Sequence, residues 1–83
     1  MDNIIARHLT ADFYGCKESR LADEESLTVK VSSLFETHGF HVMASTLQDI
    51  DENHSALLML LAEGHLAIHL YRDLSYVAAD LFL

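Results

Sequence analysis

Residues His54–Tyr71 read HSALLMLLAEGHLAIHLY, and the fold depends on whether this apolar stretch forms one helix or two strands. Leucine, methionine and alanine are strong helix formers, so a buried helix and two buried strands fit the composition almost equally well. Gly64 interrupts the stretch, and a strict alternation follows it. His65, Ala67, His69 and Tyr71 fall on one side of this alternation, and Leu66, Ile68 and Leu70 fall on the other. We therefore predict two strands.

The flanking sequence predicts further strands on both sides of this stretch. Arg7–Tyr14 alternates between apolar and polar residues, which is typical of a half-buried strand. Phe40–Thr46 predicts a second strand, and Ser75–Leu83 predicts the last one. The acidic segment Asp49–Asn53 predicts a turn.

A helix is predicted over about residues 23–38. Asp23 is a suitable N-cap, and the two glutamates that follow it favour the positive end of the helix dipole. Gly39 suits the C′ position, where a left-handed backbone ends many helices. The apolar spacing i, i+4, i+7, i+8 is supplied by Leu27, Val31, Leu34 and Phe35.

The order of elements is thus strand, helix and four strands in series, in a single domain over residues 1–83. The predicted class is α+β. We expect a two-layer sandwich in which a mainly antiparallel sheet of about five strands carries one helix on one face.

Charge and composition exclude several classes of protein. Thirteen acidic residues against five basic ones give a net charge of −8, which disfavours nucleic acid and anionic membranes as partners. The N-terminus has no basic start and long apolar run, and Ala56–Ala62 is too short to cross a bilayer. Cys16 is the only cysteine, which suits a reducing compartment. These features predict a cytoplasmic protein.

The sequence does not favour a metal site, although it contains six histidines. His65 and His69 have the spacing of a helical metal site, but four residues of strand separate their rings by about 13 Å. The acidic turn at Asp49, Asp51 and Glu52 could attract a cation, yet such turns are usually only solvated. We expect the histidines to be hydrogen-bonded or exposed to solvent.

Two motifs resemble a known family. Glu63–His69, EGHLAIH, is similar to the signature Glu-Ser-His-Leu-x-Ile-His of bacterial and archaeal S-adenosylmethionine decarboxylases, and Tyr76–Phe82, YVAADLF, to its continuation Tyr-x-Ala-x-Asp-x-Phe. Arg7–Cys16, RHLTADFYGC, resembles the family's opening motif at the expected distance. The two motifs align with the family without any gap between them. The resemblance therefore implies the family's fold.

The resemblance also implies a chemistry that this chain has lost. In the family, the serine after the glutamate attacks its own preceding carbonyl, the chain is cleaved, and the serine becomes the pyruvoyl group that decarboxylates S-adenosylmethionine. Gly64 stands at that position and has no side-chain oxygen. We expect an intact Glu63–Gly64 bond and no pyruvoyl cofactor. Glu63, Gly64 and His69, which matches the histidine that assists processing, are then vestigial catalytic positions.

Other positions that carry the family's function also differ in this chain. The processing serine aligns with Ala56, the residue that stacks on adenine aligns with Ile50, and the ribose-binding carboxylate is the shorter Asp73. Ile50, Glu63, His65 and Asp73 are the positions at which a remaining ligand site would be sought. The family's catalytic cysteine would fall two positions after Phe82, and the chain ends before it.

The early ending predicts an exposed apolar surface, because in the family a later helix helps to cover the sheet. We expect a homodimer or a complex with another protein, unless residues after Leu83 have been removed. The favoured function is a catalytically inactive relative that binds protein, either an active decarboxylase paralogue or another host protein. The alternatives are a decarboxylase of spermidine biosynthesis whose processing is blocked, and a small sensor of S-adenosylmethionine or polyamine.

Overall fold

The structure is a computed structural model that describes residues 6–17, 21 and 23–83. Its strands form one antiparallel sheet in the order β1-β5-β4-β3-β2, and the helix α1 packs on one face of it. The predicted α+β sandwich is confirmed. The elements are β1 (His8–Phe13), α1 (Glu24–Thr37), β2 (Val42–Asp49), β3 (His54–Leu61), β4 (Gly64–Tyr71) and β5 (Tyr76–Phe82).

The apolar stretch that decides the fold is a β-hairpin, as predicted. β3 and β4 pair from His54 opposite Tyr71 to Leu61 opposite Gly64, and only Ala62 and Glu63 lie between the strands. β4 pairs with β5 on its other side and is the central strand of the sheet. Both backbone edges of this apolar strand are therefore hydrogen-bonded.

The core lies between α1 and the face of the sheet that the alternation predicts to be apolar. Each leucine buried there contributes about 2 kcal/mol relative to exposure. α1 covers these residues with three of the four apolar side chains that were predicted, whereas the fourth, Leu34, is 60% exposed and does not pack on the core. The buried side chains of the hairpin are Leu57, Met59, Leu61, Leu66, Ile68 and Leu70, and those of α1 that pack on them are Leu27, Val31 and Phe35.

The ends of α1 also follow the sequence. The Asp23 side chain accepts a hydrogen bond from the Ser26 backbone N–H at 3.2 Å, so Asp23 is the N-cap. Gly39 follows the C-cap residue His38 and has φ +85°, in the left-handed region that favours glycine. Among the described residues, no helix is long and apolar enough to cross a membrane.

The second strand differs from its expected bounds. β2 begins later than Phe40 and continues to Asp49 rather than stopping at Thr46. It extends because β3 provides a partner as far as Ser55, which pairs with Asp49. The turn therefore occupies residues 50–53, and the Ile50 N–H closes it by donating to the His54 carbonyl at 2.8 Å.

The face of the sheet opposite α1, here called the open face, carries the other half of each strand. On β4 it presents the histidines and Tyr71, half-buried or exposed. On β3 it presents Leu58 and Leu60, which are 54% and 55% exposed. The open face thus exposes large apolar side chains on a strand that is paired on both of its edges.

A network of polar side chains holds the start of α1 to the far end of the sheet. Arg72, in the β4–β5 turn, donates to Glu24 Oε1 at 2.5 Å and to Ser55 Oγ at 2.9 Å. Its other terminal nitrogen donates to the Glu52 carbonyl at 2.9 Å. The fully buried Ser55 hydroxyl lies 2.5 Å from Glu24 Oε1 and 2.9 Å from Asp49 Oδ1, so its single proton serves one of these carboxylates. The network fixes the turn next to Asp73.

We predict that Arg72→Met lowers the free energy of unfolding by about 2–4 kcal/mol, because the Glu24 carboxylate would remain mostly buried without its cation. Urea denaturation followed by circular dichroism measures this loss. Lys30→Met, at an exposed position on α1, is the matched control and should change the free energy by less than about 0.5 kcal/mol. Equal losses in the two variants would show that the network does not stabilise the fold.

Candidate functional site

Gly64, the first residue of β4, lies against the end of β5. A Cβ atom built on Gly64 overlaps the Phe82 carbonyl oxygen and lies 2.8 Å from the Phe82 carbonyl carbon and 3.0 Å from Leu83 Cα. These are backbone atoms, which cannot rotate away as the end of a side chain can. The backbone of Gly64 is not in the left-handed region, so space and not φ requires glycine here.

This close packing does not fit the pyruvoyl group that the family resemblance implies. That group forms from a serine at position 64, and the chain has glycine there. The Phe82 backbone fills the place that any side chain would take. The arrangement can hold β4 and β5 together at this point, but it provides neither the nucleophile nor the room for one.

Glu63 is engaged in the hairpin turn. One oxygen of its carboxylate accepts the His41 backbone N–H at 2.9 Å, and the other lies 2.7 Å from His41 Nδ1. The Ala62 N–H donates to the His41 carbonyl at 2.8 Å. Hydrogen bonding and the charge of Glu63 raise the pKa of His41, and hydrogen bonds from the His41 side chain and backbone lower the pKa of Glu63. The carboxylate thus ties the turn to the start of β2.

His65 lies on the open face beside the end of β5. Its ring stacks on Phe82, with the centroids 5.2 Å apart and the planes at 20°. Phe82 also meets the edge of His8 on β1, and His8 is paired with Asp80. The exposed His65 ring is therefore positioned by aromatic stacking at the same end of the sheet as Glu63.

His69 lies nearer the other end of the open face. Its Nδ1 is 2.8 Å from His54 Nε2, so one imidazole donates a hydrogen and the other accepts it. The His54 ring stacks on Tyr71 with the centroids 4.3 Å apart. Ala56 is the cross-strand partner of His69. Five residues of strand separate His69 from Gly64 by about 17 Å, so these two family positions do not meet within one chain.

Asp73 lies in a cavity of about 370 Å³ at the end of the sheet beyond His69. Three acidic residues, Asp51, Glu52 and Asp73, line it together with His54 and Tyr71, whose rings are stacked. A cavity with several carboxylates and an aromatic wall suits a cationic ligand. Ile50 does not line this cavity and is 55% exposed at the end of β2.

A row of aromatic rings that the sequence did not single out extends the wall across the sheet. Tyr76 on β5 stacks on Tyr71 with the centroids 5.6 Å apart and meets Tyr14 at 5.1 Å. The Tyr76 hydroxyl donates to Asp12 on β1, and this hydrogen bond raises the pKa of Tyr76 to about 12. The register of β1, β5 and β4 could have revealed this row, because these residues occupy matching open-face positions.

The structure therefore divides the candidate residues into two groups. Glu63, Gly64 and His65 lie at the hairpin end, and His69 and Asp73 lie toward the opposite end. No group of three or more histidine, cysteine or acidic side chains within residues 6–17, 21 and 23–83 is arranged to hold a metal ion.

Comparison with known proteins identifies the family. The family model of S-adenosylmethionine decarboxylase matches residues 7–83. The chain belongs to the S-adenosylmethionine decarboxylase family. The match covers every element of the described fold, from β1 to β5.

Individual relatives agree with this membership. The S-adenosylmethionine decarboxylase proenzyme of Clostridium tetani is 31% identical over 81 residues, which cover 96% of this chain and 64% of the relative. The proenzyme of Archaeoglobus fulgidus is 28% identical over 79 residues, which cover 95% of this chain and 70% of the relative. The crystal structure of the adenosylmethionine decarboxylase from Aquifex aeolicus superposes with a TM-score of 0.80 at 18% identity, over 94% of this chain and 64% of that one. This family member thus spans about two thirds of the length of the relatives that it matches.

We predict that Gly64→Ala destabilises the protein by about 1–3 kcal/mol or more, because the added methyl group overlaps the Phe82 backbone. The urea midpoint measures the change. Ala67→Ser adds one atom on the same strand but on the open face, and it should cost less than Gly64→Ala. If the two variants unfolded at the same urea concentration, the close approach of β4 and β5 would not constrain residue 64.

The Glu63–His41 contact predicts a pH-dependent contribution to stability. The pKa of His41 is higher in the folded chain than its unfolded value of 6.5. The contact therefore stabilises the fold fully below pH 6.5, and this stabilisation is lost as the pH rises through the folded pKa of His41. The pKa of Glu63 is lower in the folded chain than its unfolded value of 4.5. The contact therefore stabilises the fold fully above pH 4.5, and this stabilisation is lost as the pH falls through the folded pKa of Glu63. The contact is therefore fully effective between about pH 4.5 and 6.5.

Glu63→Gln should bring the pKa of His41 back toward 6.5 in an NMR titration, and its cost in stability should be larger at about pH 5.5 than at about pH 9. Glu25→Gln, on the first turn of α1, is the control and should leave the pKa of His41 unchanged. A wild-type His41 that titrates with a pKa at or below 6.5 would exclude the contact in solution.

Proposed function

We propose that this chain is a catalytically silent member of the S-adenosylmethionine decarboxylase family that acts in the cytoplasm by binding another protein. The observation that carries the proposal is the packing at Gly64. In the family signature that the chain resembles, the residue at this position supplies the oxygen for self-cleavage and then becomes the pyruvoyl group. Glycine supplies no oxygen, so the Glu63–Gly64 bond stays intact and β3 remains joined to β4.

The packing also argues against a simple block of an otherwise working enzyme. If only the serine had been replaced, an unfilled space the size of a hydroxymethyl group would be expected at position 64. The Phe82 carbonyl takes that space instead. The backbone of this chain is thus adapted to glycine, and restoring serine does not restore a nucleophile that is free to react.

The carboxylate of Glu63 supports the same proposal. It is held by the backbone and side chain of His41 and links the hairpin to β2. A carboxylate in this position stabilises an uncut turn. Ala56, in place of a processing serine, faces His69 and offers no hydroxyl.

Exposed apolar side chains supply the means of binding. Leu58 and Leu60 lie on the open face, and Leu9 and Phe13 lie on the helix side of β1, all more than half exposed. An 83-residue chain that exposes large apolar side chains on both faces of its sheet gains stability from a partner. We propose that this partner is a second copy, an active paralogue or another host protein.

Intact mass spectrometry of the purified protein tests the loss of self-processing. We predict a single species near 9.3 kDa, because no side chain at position 64 can start the cleavage. Gly64→Ser should also remain uncut, since the Phe82 backbone occupies the space of the new side chain. Separate fragments of residues 1–63 and 64–83 from the wild-type chain would overturn the proposal. The same fragments from Gly64→Ser alone would favour the alternative of a processing-blocked decarboxylase of spermidine biosynthesis.

The acidic cavity at Asp73 favours a second candidate function, a sensor of S-adenosylmethionine or polyamine. The three carboxylates and the stacked His54 and Tyr71 rings suit a ligand that carries positive charge. Both candidate ligands are cations. This function requires no chemistry at position 64 and is compatible with an intact chain.

Thermal unfolding in the presence of S-adenosylmethionine or putrescine tests the sensor. A ligand at ten times its dissociation constant should raise the midpoint by roughly 5–10 °C. Asp73→Asn should reduce the shift, whereas Asp80→Asn, on the open face and outside the cavity, should preserve it. A midpoint that neither ligand raises at millimolar concentration would exclude the sensor and leave the protein-binding function.

A further inference from the structure

Two histidine side chains meet on the open face although they lie 15 positions apart in the sequence. Nε2 of His54 on β3 and Nδ1 of His69 on β4 are 2.8 Å apart. The ring centroids are 5.0 Å apart, and the ring planes are inclined by 38°. Each ring therefore directs one nitrogen toward the other. We call these two side chains the histidine pair.

The register of the β3–β4 hairpin holds the histidine pair together. His54 lies opposite Tyr71 and Ala56 lies opposite His69, so the two histidines are diagonal neighbours on one face of the sheet. The Tyr71 ring is stacked against both, with centroid distances of 4.3 Å to His54 and 6.3 Å to His69. The two nitrogens thus come together only when the hairpin has formed.

The sequence pointed to a different pair of histidines. His65 and His69 have the spacing of a helical metal site, but both lie on the strand β4, and His65 stacks on Phe82 instead. His54 and His69 have no spacing that marks a metal site, because their contact depends on the register of two strands. The expectation of histidines without a metal ion was therefore formed without knowledge of this contact.

The distance between the two nitrogens suits a metal ion with right-angled coordination. Imidazole nitrogen is a good ligand for Ni²⁺, Cu²⁺ and Zn²⁺, whereas Mg²⁺ prefers oxygen. Two nitrogens at about 2.1 Å from an ion lie about 3.0 Å apart when they subtend 90°, as in tetragonal Ni²⁺ or Cu²⁺ sites, and about 3.4 Å apart in tetrahedral Zn²⁺ sites. The 2.8 Å of the histidine pair is closer to the first value.

Binding would replace the hydrogen that the two rings share. One imidazole donates this hydrogen and the other accepts it. The donating ring carries its hydrogen on the other nitrogen in the alternative tautomer, so both facing nitrogens can present lone pairs without a change in charge. Each ring then turns so that its nitrogen faces the ion. Both side chains are only half-buried on the open face, which leaves them room to turn.

The charge around the histidine pair favours a cation. His54 also lines the cavity that contains Asp51, Glu52 and Asp73, in a chain whose net charge is −8. In the described ranges 6–17, 21 and 23–83, no third histidine, cysteine or acidic side chain joins the pair in an arrangement that holds a metal ion. Two imidazoles would therefore be the protein ligands, and water would complete the coordination.

We propose that His54 Nε2 and His69 Nδ1 bind one divalent transition-metal ion, with a preference for Ni²⁺ or Cu²⁺ over Zn²⁺. The ion would join β3 to β4 at the end of the sheet away from the Glu63 turn. The proposal depends neither on a protein partner nor on the chemistry at position 64.

Titration calorimetry of the intact chain with NiCl₂ tests the proposal. The chain carries no affinity tag, and the pH is about 7.5, where ordinary imidazoles are neutral. Ni²⁺ is the probe because it does not oxidise the Cys16 thiol as Cu²⁺ does. We expect one Ni²⁺ per chain and weaker binding of Zn²⁺. In NMR spectra, Ni²⁺ should broaden the ring signals of His54 and His69 before those of the other four histidines.

Variants locate the ion. His54→Gln and His69→Gln should each weaken Ni²⁺ binding by at least about tenfold, because loss of even an outer partner of a metal-ligating histidine costs about 10–100-fold. His8→Gln is the matched control, since His8 lies on the same face and is paired with Asp80 on β5. Affinity that either pair variant leaves unchanged, or that His8→Gln reduces equally, would overturn the proposal.

Two comparisons distinguish the histidine pair from other sites. If Asp73→Asn weakened Ni²⁺ binding as much as His69→Gln does, the ion would lie in the acidic cavity and the proposed ligands would be wrong. If Zn²⁺ bound as tightly as Ni²⁺, the preference inferred from the 2.8 Å separation would be wrong.

Thermal unfolding followed by circular dichroism is a second readout. Ni²⁺ at ten times its dissociation constant should raise the midpoint of the wild-type chain by roughly 5–10 °C, because only the folded hairpin brings the two nitrogens together. His69→Gln should fold without Ni²⁺ and lose this shift. A wild-type midpoint that Ni²⁺ does not raise would show that the fold supplies no such site.

Discussion

The pairing of β4 with strands on both of its edges is the constraint on which the rest of this structure depends. Leu66, Ile68 and Leu70 must face α1, because α1 is the layer that removes them from water. A shift of one residue in either ladder would turn these side chains to the open face and bring histidines into the core. The registers of β3 and β5 are therefore set by the same three apolar residues. The position of every open-face histidine on β4 follows from them.

The close approach at Gly64 is a consequence of this pairing. β4 begins where β5 ends, and the two backbones are near enough that no side chain fits between them. From the sequence alone, glycine at position 64 means a missing oxygen. From the structure, it also means that the Phe82 carbonyl and Leu83 occupy the space. The absence of a side-chain oxygen at position 64 and the close packing of β4 against β5 thus involve the same residue.

Much of the fold could be predicted because local periodicity determines it. The alternation of β4 gave the correct faces, and Asp23 and Gly39 marked the ends of α1 through interactions within a few residues of the chain. β2 was less predictable, because its length depends on where β3 begins. The extent of a strand is decided by its partner as much as by its own residues.

The contacts at the candidate site were not predictable in the same way. Glu63 meets His41 across 22 positions of sequence, and Arg72 meets Glu24 across 48. No local pattern marks such pairs, since the side chains come together only after the helix and hairpin have packed. The family resemblance gave Ile50, Glu63, His65 and Asp73 as the positions of a remaining ligand site. Strand geometry places Asp73 at the opposite end of the sheet, because each residue of β4 advances about 3.3 Å.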